Sequence, residues 1–169
     1  FRTNTGQAII YGVEGLADIN LRDIFYEKNQ YNLNLFSNFS LLSSEYIKSN
    51  ESGVEGKKVE FVPNINFKAG IKFGFKNFTS YLQYSYISDQ YSDSSNAIES
   101  NLSGVIGKIP EYNVMDFSMN YKLNKVKLEF GVNNVFDKSY FTRRATAYPG
   151  PGIIPSPPRN YYITIQFIN

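Results

Sequence analysis

The chain has 169 residues, with Lys+Arg 17 against Asp+Glu 15 and a formal net charge of +2. A balance this close to neutral gives no electrostatic reason to expect a nucleic-acid partner. The absence of both Cys and His removes disulfides, thiolate catalysis, the commonest general base and the commonest transition-metal ligand.

Aromatic residues make up 17% of the chain and charged residues 19%, against about 25% charged in soluble domains. Asn and Ser add 19 and 17 residues, so much of the chain is polar without being charged. Residue 1 is Phe, and no basic start followed by an apolar stretch is visible, so an excerpt or a processed chain is expected. No apolar run approaches the roughly 18 residues of a transmembrane helix. A transmembrane strand needs only about 9–11 residues of alternating character.

Seven segments alternate. In 7–22, Ile9, Tyr11, Val13, Ala17, Ile19 and Leu21 share a face with Gly15, opposite Gly12, Glu14, Asp18 and Asn20. In 31–41, Tyr31, Leu33, Leu35, Phe39 and Leu41 oppose Asn32, Asn34, Asn38 and Ser40. In 59–73, Val59, Phe61, Pro63, Ile65, Phe67, Ala69, Ile71 and Phe73 oppose Glu60, Asn64, Asn66, Lys68, Gly70 and Lys72, with Val62 the single exception on the polar face. The pattern returns in 78–88, 113–123, 126–132 and 161–167. Period two puts successive side chains on opposite faces of a strand, whereas a helix would mix them.

The connections sort by length. Residues 74–77 and 124–125 read as tight turns and 23–30 as an intermediate connection, while 46–57, 90–108 and 142–158 are long and rich in Ser, Gly, Asn and Pro. Short turns at one end and long loops at the other are the habit of an outer-membrane barrel. A 15-residue strand such as 59–73 would extend about 50 Å at 3.3 Å per residue, far beyond the usual strand of about 5–6 residues. The plainer alternative is a soluble antiparallel sheet or sandwich with one wet face. Seven strands leave two open edges, which lipid does not tolerate. The expected fold is therefore all-β, a run of antiparallel strands within a larger up-and-down transmembrane barrel, insoluble or ill-folded when isolated.

The C-terminal third carries a resemblance. GVNNVFDKSYF at 131–141, then a Pro/Gly loop, then Arg159 opening a last alternating strand, resembles the end of TonB-dependent outer-membrane receptors. GQAIIYGVEG at 6–15 and KIPEYNVMDFSMNY at 108–121 are similar to phrases that family places there. Within it, YFTRRATAYPGPGIIPS at 140–156 resembles receptors of the ferric dicitrate type. One departure is that Pro157 and Pro158, rather than Asp-Gly, precede Arg159.

The resemblance implies that residues 1–169 are the C-terminal portion of a 22-stranded barrel closed by a plug, with plug, TonB box and about fifteen earlier strands outside the chain. It implies import of a ferric chelate, dicitrate or siderophore, driven by the TonB complex, with no cofactor and no enzyme activity. Other implied partners are outer-membrane lipid, lipopolysaccharide and, through the last strand and Phe167, the barrel-insertion machinery. Haem, cobalamin or an oligosaccharide as cargo, or a passive porin or adhesin, are the rivals.

Candidate site residues follow. Asn133, Asn134 and Asp137 interrupt the alternation, and their side chains bond their own backbone and tolerate left-handed conformations. A structural role is favoured over ligand contact for them, with Asn134 retained as a tentative ligand residue. Gly131, Phe136, Tyr140, Phe141 and Arg159 complete the motif. Arg143 and Arg144 open the last long loop, and their guanidinium forks suit an anionic chelate or, more blandly, solvent or lipopolysaccharide phosphate. Tyr140, Phe141 and Tyr148 fit a binding mouth or, preferably, an interfacial aromatic belt. Pro149, Pro151, Pro155, Pro157 and Pro158 stiffen the loop. Glu60, Lys68, Lys72, Asp116, Lys122, Lys127 and Glu129 read as a hydrated inner wall rather than as catalytic groups.

Overall fold

The computed structural model describes residues 6–21, 31–147 and 150–167. Its strands are β1 (Gly6–Asn20), β2 (Tyr31–Ser49), β3 (Ile65–Phe75), β4 (Phe78–Ile87), β5 (Gln90–Tyr91), β6 (Lys108–Ile109), β7 (Tyr112–Leu123), β8 (Val126–Asn133), β9 (Phe141–Ala145), β10 (Gly152–Pro155) and β11 (Asn160–Phe167). Seven of them form one antiparallel sheet in the order β1-β2-β3-β4-β7-β8-β11, while β5–β6 and β9–β10 are small hairpins. No helix among the described residues is long and apolar enough to cross a membrane.

The register turns the sequence alternation into two continuous faces. Ile19, Leu35, Ile71, Leu82, Phe117, Val132 and Tyr161 lie side by side across all seven strands. One residue along, the opposite face carries Asn20, Asn34, Lys72, Tyr81, Ser118, Gly131 and Tyr162 in the same way. A slip of one residue in any pair would exchange the faces, so the pattern itself enforces this register.

The apolar face has no second layer against it. Ile163 is 75% exposed and Phe167 83%. Among the described residues the buried apolar side chains are Val54, Ile109, Val114 and Ala145; all but Val114 lie outside the seven-stranded sheet. The chain presents 11892 Å² of surface, against about 8,500 Å² for a folded globular chain of this mass. A soluble sheet of this composition would hide that face; here it is turned outward, as a lipid-facing wall requires.

At one end β3 and β4 are joined through Lys76 and Asn77, and β7 and β8 through Asn124 and Lys125. Lys76 and Asn124 take positive φ, 51° and 49°, as tight hairpins with the strand twist demand. The other end carries the excursions 50–64, 88–111 and 134–159.

Two strand bounds differ from the sequence expectation by more than two residues. β3 starts at Ile65 rather than at 59, because Pro63 has no N–H for a ladder and Phe61 sits at φ 58°. β2 runs past 41 to Ser49, 19 residues, because β1 continues beside it to Gly6. The length argument therefore holds for β2, at about 60 Å of extended chain, rather than for 59–73. The 90–108 and 142–158 stretches are also not wholly irregular, since each contains or borders a short hairpin.

Candidate functional site

At the end of β8 the backbone turns at Asn134 and Asp137, both at φ 53°. Asn134 is 3% exposed. Its N–H donates to Asp116 Oδ1 at 2.8 Å, its Nδ2 to the Lys138 carbonyl at 2.9 Å, and its Oδ1 accepts the Lys138 N–H at 2.9 Å. Asp137 Oδ1 accepts the Arg159 N–H at 2.9 Å, and Arg159 Nη1 donates to the Val135 carbonyl at 3.3 Å. Asn133 Nδ2 donates to Asn160 Oδ1 at 2.8 Å. The motif thus ties the end of β8 to the start of β11. An amide so bonded serves the closure between β8 and β11, and Asn134 also borders a groove of about 460 Å³. Phe136 is exposed, Gly131 lies under Tyr162, and Phe167 pairs with Val126 at the far end of the sheet.

The two arginines have separate fates. Arg144 is 7% exposed. Its Nη1 donates to the Gly104 carbonyl at 2.7 Å and its Nη2 to the Lys108 carbonyl at 2.9 Å, with its guanidinium 5.2 Å from the Phe141 ring centroid. Its two terminal nitrogens are engaged by the neighbouring loop, while its buried Nε has no partner among the described residues. Arg143, its neighbour on β9, is exposed. It lines a concavity of about 570 Å³ with Phe61, Gln90, Thr142, Thr146 and Arg144 itself, which three different loops supply.

Tyr140 faces away from the lipid interface. Tyr140 stacks on Tyr112 with ring centroids 4.7 Å apart. Tyr112 shares its face with Lys68 through Ile87 and Asn66, so Tyr140 belongs to the inner side rather than to the lipid interface. There it joins Lys68, Gln83, Asp116 and Asn160 around a groove of about 460 Å³. Phe141 packs under Arg144. Tyr148 and Pro149 lie outside the described residues. Of the expected inner wall, Lys68, Lys72, Asp116, Lys122, Lys127 and Glu129 share the polar face. Glu60 does not: it lies in the 50–64 loop and accepts the Tyr46 hydroxyl at 2.6 Å.

Among the described residues no cluster of three acidic side chains converges on a metal position. Two residues that organise the loops, Asn96 and Phe61, escape sequence reasoning. The only local trace of the first is the Asp93–Asn96 turn, in which the Asn96 N–H donates to the Asp93 carbonyl at 3.2 Å.

The sequence matches the family profile described as TonB dependent receptor-like, beta-barrel, over residues 1–135. Among solved structures, the ferric citrate transporter FecA in its unliganded form is 23% identical with a TM-score of 0.85, over 96% of this chain and 24% of that one. The ferric yersiniabactin uptake receptor FyuA from Yersinia pestis is 18% identical with a TM-score of 0.72, over 97% and 24%. The copper transporter OprC is 18% identical with a TM-score of 0.70, over 96% and 24%. The chain spans about a quarter of the length of each. At these identities the likeness is one of fold, and the three differ in what their names say they carry.

Proposed function

This chain belongs to the TonB-dependent receptor-like β-barrel family, whose members are integral outer-membrane receptors and transporters rather than enzymes, and we propose that it forms the last seven strands of a barrel that imports a ferric chelate. In this reading the barrel has 22 strands, a plug precedes it in the full protein, and the TonB complex supplies the energy. Lipid and lipopolysaccharide surround it, and β11 with Phe167 addresses it to the insertion machinery. The cargo is an anionic chelate, ferric dicitrate or a carboxylate siderophore.

The observation that carries the cargo class is Arg143. It is an exposed guanidinium beside Phe61, Gln90 and Thr142 in a concavity at the long-loop end. A planar fork matches carboxylate oxygens two at a time, and binding groups concentrate on loops held by a rigid frame.

The test is titration of the detergent-purified full-length receptor with ferric dicitrate, a neutral siderophore and haem. Selective binding of ferric dicitrate is the expected result. Binding of a neutral siderophore or haem alone would retain a receptor and overturn the anionic cargo, and binding of none would contradict the reading.

A further inference from the structure

We propose that the loops 50–64, 88–111 and 134–159 form one rim assembled before any ligand arrives, and that Arg144 is the positioning residue that holds the last loop to the middle one. Two seams join the three loops, each made by a different side chain.

The first seam is made by Asn96. Its Oδ1 accepts the Lys58 N–H at 2.7 Å and its Nδ2 donates to the Lys58 carbonyl at 2.8 Å. The side-chain amide thereby copies the two-way pairing that a strand residue makes with its partner. Nearby, the Phe61 N–H donates to the Tyr91 carbonyl at 2.9 Å. That bond helps hold Phe61 at φ 58°, an uncommon conformation for a bulky residue that persists only where its surroundings determine it. Phe61 is nevertheless 48% exposed; its backbone is fixed while its ring is presented.

The second seam is made by Arg144. Its two terminal nitrogens grip the carbonyls of Gly104 and Lys108, at either end of one turn of the middle loop. Bonds from a charged donor are roughly twice as strong as neutral ones, and burial makes the two terminal bonds costly to lose, the more so because the buried Nε has no partner among the described residues. The backbones also meet directly. A Cβ on Gly104 would stand 3.3 Å from Gly152 Cα, and one on Gly152 would stand 3.3 Å from the Ser103 carbonyl oxygen. Ile109 and Ala145 are buried on the strands β6 and β9 that flank this seam.

The consequence is geometric. Phe61 comes from the first loop, Gln90 from the second and Arg143 from the third, yet they line one concavity. They share a wall only while both seams hold. Arg144 borders the same concavity, but its two terminal nitrogens are engaged by the middle loop, so it acts by fixing its neighbour Arg143. A wall assembled in advance spares the ligand the ordering of three loops.

The chain contains no Cys, so spin labels can be placed by substitution in the full-length receptor. The pairs are Ser52→Cys with Leu102→Cys, across the first seam, and Leu102→Cys with Ala147→Cys, across the second. Pulsed electron resonance should give narrow distances for both pairs without ligand, and unchanged distances with ferric dicitrate. Asn96→Ala should broaden the first pair alone. Arg144→Gln should broaden the second pair alone and weaken ferric dicitrate binding by about tenfold, with Arg144→Lys intermediate. Broad distances in the unliganded receptor, or a narrow second pair in Arg144→Gln, would overturn the proposal. The affinity readout rests on the chelate reading. A second pair broadened by Arg144→Gln in a receptor that binds no ferric dicitrate would keep the rim and discard that cargo.

Discussion

The ring of Tyr162 lies across Gly131 on the neighbouring strand. The two are register partners, and a Cβ on Gly131 would stand 2.2 Å from two carbons of the ring. The Tyr162 hydroxyl donates onward to Glu129 Oε1 at 3.4 Å. Gly131 is therefore a seat for an aromatic ring on the polar face. Phe36 over Gly70 and Phe39 over Gly15 repeat the device, on the polar and apolar faces respectively. Each ring covers backbone that a glycine leaves bare, and pins the register of its strand pair.

Gly131→Ala should force the Tyr162 ring from its seat and destabilise the barrel by about 1–3 kcal/mol, the usual range for overpacking. Urea unfolding of the full-length receptor, followed by its heat-modifiable band, measures this. Tyr162→Ala should lower the effect of Gly131→Ala, since the clash is with that ring. Equal effects in both backgrounds would contradict the account.

Asn134→Ala should destabilise the closure between β8 and β11. It removes two side-chain bonds to Lys138 and puts a residue without a self-bonding side chain at φ 53°. A loss of about 1–3 kcal/mol is expected for bonds of this kind in a buried place. Asn134→Gly should be milder in backbone strain but still lose the amide. Binding of ferric dicitrate to the folded fraction should stay unchanged, because Asn134 is a closure residue.

Arg143→Ala should weaken ferric dicitrate binding by about tenfold, as expected for losing one charged donor to a carboxylate. Stability should not move, since Arg143 is exposed. A calorimetric titration that gives the wild-type affinity would remove Arg143 from the site.

The foot of the β5–β6 hairpin should loosen in alkali. Lys108 pairs with Asp89, and the bond to that carboxylate holds the ammonium above its ordinary range. A raised lysine contributes stability that is complete below about pH 10.4, its unfolded value, and that disappears as the pH climbs through the folded value. Both side chains are over a third exposed, so the effect is small. The distance between labels at 102 and 147 should broaden as the pH rises above about 10.4. Asp89→Asn should be less dependent on pH across that window, and equal dependence would exclude the pair as the cause.

Much of this wall was legible in the sequence because a barrel strand writes its two environments on alternate residues. The face taken by Ile71, Leu82 and Phe117, and the opposite face taken by Lys72, Tyr81 and Ser118, follow from period two, while the register that sets them side by side comes from the structure. The turn at Asn124 and the left-handed Asn134 and Asp137 were legible too, since these side chains tolerate positive φ. The strand over 59–64 was misread because Val59 and Phe61 keep the alternation, while the single Pro63 and the turned backbone at Phe61 stop the ladder. Arg143 and Arg144 are equivalent in sequence, and only the position of the Gly104 and Lys108 carbonyls separates them. The same holds for Asn96, whose partner lies 38 residues away. Long-range pairing between loops leaves no local period to read.

The measurement that bears most directly on function is uptake of radioactive iron, supplied as ferric dicitrate, by cells carrying the full-length receptor with and without TonB. The account predicts uptake that requires both the receptor and TonB and that falls with Arg143→Ala. Equal uptake without TonB would mean a passive pore, and would contradict it.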